Sequence, residues 1–308
     1  MRPVDLARLL FLAALWGSSF IFLRAAAPYL GTVPSAFFRV SLGMLGLLAV
    51  VLSLRVPLRF DGKLRHALLL GVLSSAAPFL MYAFAAQRLP AGYSAIFNAM
   101  TPLMGVLIGA LCFGERATLA RLAGVCVGLM GVAVLTQAGP VAVEARMLAG
   151  VGACLVATLC YALGGFMTRR WITERGGLDN RLMALGSQVG AVLALLPFML
   201  HASLGDTPPG WLDAPLNAWL AMLGLGLLCT SYAYIVFFRL LADIGPLKAT
   251  TVTFIIPIFG VLWDWLIFDE PVTLAHLGST GLIAVALWLV LRGSPQVAAA
   301  AATAERKD

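Results

Sequence analysis

Apolar residues run along this chain in long blocks, interrupted at short intervals by Pro, Gly, Arg or Glu. A membrane-spanning helix needs about 20 predominantly apolar residues. By that rule the pattern predicts helices near residues 6–26, 34–54, 67–87, 89–114, 118–137, 147–168, 182–201, 216–238, 247–268 and 273–291. Ten is an even number, so both termini fall on one side of the membrane. With the N-terminus cytoplasmic, 17 Lys and Arg residues lie in inside segments and three (Arg24, Arg88, Arg146) outside. This is the bias that insertion leaves on cytoplasmic loops. Omitting one helix would scramble the alternation.

Composition agrees with the pattern. Of 308 residues, 61% are hydrophobic and 11% charged, where a soluble domain carries about a quarter charged residues. A water-soluble globular fold is therefore excluded. The net charge of +7 reports cytoplasmic loops rather than a nucleic-acid partner. Cys112, Cys126, Cys154, Cys160 and Cys229 all sit inside apolar runs without a paired spacing or a neighbouring His. No disulfide framework, metal site or cofactor is expected, and these thiols read as small packing residues. Arg2 and Arg8 precede an apolar run ending in Ala25, Ala26 and Ala27, an arrangement shared by secretory signals. Trp16 and the helices that follow favour a retained first span.

The chain also repeats itself. Residues 98–122 and 253–277 align without gaps at an offset of 155, with 11 of 25 positions identical. Five helices per half is an odd number, so the second half enters the membrane inverted, an arrangement typical of alternating-access transporters. The predicted units are residues 1–145, a first five-helix repeat, and 146–293, its inverted partner, followed by a disordered tail over 294–308. Earlier in each half the match is thinner: Trp16 and Arg24 align with Tyr161 and Arg169 at an offset of 145.

Ten helices in two inverted halves, Trp16–Gly17 in the first, Pro34 followed by Arg39 in the second, and Phe113–Gly114–Glu115 with Gly124 downstream resemble the drug/metabolite transporter superfamily, EamA type. The resemblance covers the chain up to about Gly293. It implies an all-α basket around a central cavity with helices 5 and 10 peripheral, in a bacterial inner membrane. Many such proteins export amino acids, other metabolites or toxic cations. The second half departs from the pattern at Asp269, where the first half has Gly114.

Polar residues inside spans need a partner or a wet cavity. Ser94, Asn98 and Thr101 recur on one face of helix 4, answered on helix 9 by Thr250 and Thr253. Tyr82, Thr230, Tyr234, Trp16, Ser19, Thr158 and Tyr161 add polar and aromatic faces on four further helices. A hydroxyl in a membrane helix can instead bond its own backbone. Pro102 and Pro257 occupy repeat-related positions and are expected as hinges, each freeing a carbonyl one turn earlier, at Asn98 and Thr253. Such carbonyls would suit a solute's ammonium group. Arg39 and Asp264, charges at similar depth within spans, are expected to pair. Asp264 is then the carboxylate placed to take a proton.

Glu115 and Glu270 invite a proton-coupling reading, but each precedes a Thr by three residues, which fits helix-start capping and packing. Gly105 with Gly109 and Gly124 with Gly128 read as close-packing pairs in a hairpin of helices 4 and 5. The reading that follows is a secondary transporter, monomeric or homodimeric, exporting a small organic solute such as an amino acid. A passive channel or lipid flippase would use the same cavity. Enzyme chemistry is poorly supplied, because His66, His201 and His276 lie at helix ends or loops and one Asp, Asp264, lies within a span.

Overall fold

The computed structural model describes residues 2–115, 118–204, 210–249 and 251–292. Thr250 and the tail 294–308 lie outside the described residues. Among these residues the chain is helical, without strands. In chain order the helices are α1 (Pro3–Leu30), α2 (Thr32–Ser53), α3 (Leu64–Ala86), α4 (Ala91–Asn98), α5 (Thr101–Cys112), α6 (Leu119–Ala138), α7 (Ala145–Trp171), α8 (Asn180–Ser203), α9 (Leu216–Ile244), α10 (Pro246–Ala249), α11 (Val252–Phe268) and α12 (Leu274–Arg292). Seven of them are long and apolar enough to cross a membrane: α1, α2, α3, α6, α7, α8 and α9. The pair α4–α5, bent by 43°, makes an eighth span if taken together, and α11 and α12 are apolar but shorter. The molecule is a multi-pass membrane protein.

Local chemistry sets the helix ends. Pro3 opens α1, where a missing N–H costs nothing. Thr118 caps α6 by accepting from the Arg121 N–H at 3.3 Å. At α12, His276 Nδ1 accepts from the Thr273 N–H at 3.2 Å. Gly114 and Asp269, 155 residues apart, both adopt left-handed backbone, at φ 66° and 53°. Asp tolerates that region better than most side chains, so the departure at Asp269 preserves the turn.

Two helices contain wide π turns: Val72–Ala76 within α3 and Gly224–Tyr232 within α9. A π turn adds a residue to the local coil and is commonly found at functional sites. Each marks a close crossing. A Cβ on Gly71 would fall inside the Ser187 carbonyl of α8, and one on Gly190 inside the Leu68 carbonyl of α3. Across that crossing Gln188 Nε2 donates to Ser75 Oγ at 3.0 Å. In α9, Ser231 Oγ donates to the Gly43 carbonyl of α2 at 3.1 Å, while Thr230 packs on Gly43 and Ser231 on Gly46.

At the rim, α6 lies along α12. Gly124 faces Ala286 and Val290, and Gly131 faces Ile283. This differs from the expected hairpin of GxxxG pairs. Of the four glycines, Gly128 meets α5, against Leu103 and Met100, whereas Gly105 has nothing within 4 Å and Gly109 faces Glu115 and Phe166. The close approach expected from spacing holds at Gly124, Gly128 and Gly109 but not at Gly105, and spacing could not say which neighbour fills each gap.

Candidate functional site

α1 is fixed to the second half of the chain at both ends. Near its start Arg8 pairs with Asp243 of α9 at 2.8 Å, and Asp5 accepts from Arg2 at 2.9 Å. Near its far end Arg24 donates to Asp264 of α11 at 2.7 Å and also pairs with Glu270. Asp264 Oδ2 accepts from the Gly92 N–H at 2.7 Å, in the first turn of α4. A carboxylate there meets unpaired backbone donors and the positive end of the helix dipole. Between these clusters Trp263 Nε1 donates to the Ala14 carbonyl at 3.2 Å, and Gly17 lies against Phe259 and Gly260.

The expected Arg39–Asp264 pair is therefore corrected. Asp264 is satisfied by Arg24 and Gly92, and the guanidinium of Arg39 lies instead over the Phe79 ring, 3.6 Å from its centre. Counting residues from helix ends put the two charges at a similar depth, but such counting leaves the facing direction open. Glu270 belongs to the Arg24 cluster, and the Glu115 carboxylate lies 4.0 Å from Arg121.

Inside the basket lies a cavity of about 330 Å³, at the small end of ligand sites, which run from about 300 to 1,000 Å³. Trp16, Ser19 and Phe20 of α1 form one side, with Tyr161 of α7. Ser74, Phe79 and Tyr82 come from α3, and Asn98 and Thr101 from the two sides of the α4–α5 bend. Cys229, Thr230, Tyr234 and Phe237 of α9 and Thr253 and Ile256 of α11 close the circle, and Arg39 of α2 enters it. Described residues of α6 and α12 do not line it.

Aromatic contacts stiffen the wall. Trp16 lies 5.3 Å from Phe237, Phe20 meets Tyr82 edge-on at 5.3 Å, and Tyr82 lies 6.3 Å from Tyr161 between ring centres. Tyr82 OH donates to Asn98 Oδ1 at 3.0 Å, which aims the Asn98 amide N–H groups elsewhere.

Ser94 and Thr158, expected on this face, do not line it. Ser94 is buried towards α7, where Cys154 Sγ lies 3.6 Å from its hydroxyl, and Thr158 donates to its own Leu155 carbonyl at 2.7 Å. Asn98 and Thr101 thus stay on one wall across the break at Ala99–Met100, whereas Ser94, one turn before Asn98 on α4, does not. Ser19, Thr101 and Thr230 do line the cavity, but each gives its hydroxyl proton to its own backbone: Trp16 O at 2.6 Å, Asn98 O at 2.8 Å and Leu225 O at 3.0 Å. The Asn98 carbonyl is thus taken by Thr101 and is not the free acceptor expected from Pro102. Pro102 sits in the first turn of α5, just past the bend, whereas Pro257 lies inside the unbroken α11 and lines a second, apolar pocket of about 270 Å³.

The EamA-like transporter family matches residues 7–137 and again residues 148–292. The chain belongs to that family. A protein described as a probable terminal-alkyne amino-acid exporter, from Streptantibioticus cattleyicolor, is 26% identical over 85% of this chain and 85% of its own length. A probable amino-acid metabolite efflux pump of Escherichia coli is 22% identical over 92% of this chain and 93% of its own. A solved crystal structure superposes with a TM-score of 0.63 at 18% identity, covering 94% of this chain and 99% of the other, which shows a shared fold. Family membership makes this EamA protein a transporter rather than an enzyme.

Arg39 is the functional candidate that sequence reasoning placed wrongly. Its signal was present: an Arg seven residues into an apolar helix, without an acidic residue on that helix.

Proposed function

We propose that this EamA protein is a secondary transporter that exports a small organic solute across the bacterial inner membrane by alternating access to the central cavity. On this reading ten spans form two inverted halves, residues 1–145 and 146–293, with both termini cytoplasmic. The observation that carries it is a regularity in the wall. Five pairs of lining residues differ by 155: Ser74 and Cys229, Phe79 and Tyr234, Tyr82 and Phe237, Asn98 and Thr253, Thr101 and Ile256. The π turns of α3 and α9 overlap at the same offset. A cavity built from matching positions of two halves supports exchange of their roles, as rocking of one repeat against the other requires.

The exporter and efflux-pump names of the two relatives support the outward direction and an amino acid or related metabolite as cargo. The Arg24, Asp264, Glu270 and Gly92 cluster ties α1, α4 and α11 together at the end assigned to the outside, which supports an outer closure.

Counterflow in proteoliposomes tests the carrier. Vesicles loaded with unlabelled amino acid should accumulate labelled amino acid transiently, whereas a channel equilibrates without overshoot. In a background lacking the five native cysteines, single cysteines at Lys63 and Arg175 should label from the cytoplasm and one at Glu144 from outside. The reverse pattern would overturn the topology.

A further inference from the structure

We infer that Arg39 is the docking point for a carboxylate, so that the cavity accepts organic acids and amino acids through their acid group and discriminates against amines. This deepens the transporter reading above and rests on it for the cavity's role. Arg39 is 8% exposed, and its Nε has no hydrogen-bond partner. Among the described residues no carboxylate comes within 4.0 Å of it. Among the described residues its guanidinium lies over the Phe79 face, which covers one flat side, and the residue lines the cavity.

A buried cation without a counter-charge is costly, and the cost is recovered when an anion arrives. A carboxylate fits the guanidinium fork with two parallel hydrogen bonds. Nothing else in the wall opposes that choice. No Asp or Glu lines the cavity among the described residues, so an ammonium group has no ionic partner there. Neutral donors reinforce the preference: Tyr82 holds the Asn98 side-chain oxygen, leaving the Asn98 amide N–H groups without a bond to the described residues. Trp16, Phe20 and Phe237 supply an aromatic, apolar end for the rest of the solute.

The test uses three solutes of one shape: L-phenylalanine, 3-phenylpropanoate, which lacks the amine, and phenethylamine, which lacks the acid. Binding to the purified full chain is followed by tryptophan quenching, and exchange by counterflow. Both acids should bind and phenethylamine should not. Arg39→Gln should weaken acid binding about tenfold to a hundredfold, the range for losing hydrogen bonds to a charged group. Arg39→Lys, which keeps the charge but not the fork, should recover part of it.

Acid binding that depends on Arg39 without counterflow would support the docking point while removing the carrier reading. Phenethylamine binding as well as the acids, an unchanged acid affinity in Arg39→Gln, or binding of none of the three would overturn the docking point. Counterflow of phenethylamine would do so while leaving the carrier intact. If the variants fail to fold, the acid-over-amine preference of the parent protein decides.

Discussion

The two π-helical crossings look alike in the repeat but are built differently. Where α3 meets α8 the contact is backbone on backbone: Gly71 sits on the Ser187 carbonyl, Gly190 sits on the Leu68 carbonyl, and Gln188 bonds Ser75 through side chains. Where α9 meets α2, the hydroxyl and methyl ends of Thr230 and Ser231 fill the gaps over Gly43 and Gly46, and one bond runs from Ser231 to a backbone carbonyl. Backbones in contact have no slack, whereas small side chains can change rotamer. On the proposed rocking of the two halves, the α3–α8 crossing would serve as the fixed joint, and the α9–α2 crossing, which adjoins Arg39 through Gly226, would be where one half shifts on the other.

The hardest test of this contrast is Gly190→Ala. The added methyl has no space beside Leu68, so the variant should lose at least about 3 kcal/mol or fail to fold, beyond the usual cost of overpacking. Size-exclusion profiles and thermal melts in detergent read this directly; a parent-like melt would show that the joint is loose. Gln188→Leu comes next. It leaves the Ser75 hydroxyl without its donor and should cost about 1–3 kcal/mol. Gly46→Ala meets the Ser231 hydroxyl, which can rotate, and the Ser231 Cβ, which cannot, so it should cost about 1–3 kcal/mol, less than Gly190→Ala, yet it should slow counterflow more than it lowers the melting temperature. Equal losses for Gly190→Ala and Gly46→Ala would erase the distinction between the joints. The mildest change is Tyr82→Phe, which removes the bond to Asn98. It should cost about 1 kcal/mol or less in stability and weaken solute affinity by releasing the Asn98 amide, a loss visible in the binding titration.

The positions of the apolar runs were legible in the sequence, and the direction in which each side chain faces was not. Hydropathy located the apolar runs, and the 155 offset paired Tyr82 with Phe237 and Asn98 with Thr253, all four of which line one cavity. The same counting put Arg39 and Asp264 at one level and joined them, although Arg24 reaches Asp264 first from a helix that extends to Leu30, beyond the predicted end at residue 26. Ser94 and Thr158 were misplaced for a related reason. Spacing put Ser94 beside Asn98 on one face of α4, but its hydroxyl lies against Cys154 of α7, and a threonine that bonds its own carbonyl has the same sequence signature as one that faces a solute. The π turns carry no residue signature here, since Val72–Ala76 reads as ordinary apolar helix.

On the carrier proposal, the guanidinium of Arg39 would also give the transport cycle an electrical character. An empty cavity carries a positive charge, and the same cavity holding a monoanion is neutral. A full charge crossing 100 mV changes energy by about 2.3 kcal/mol, so any reorientation that carries Arg39 through part of the field feels the membrane potential only when the site is vacant. With such a solute, voltage would set the pace of the return stroke and leave the loaded stroke untouched.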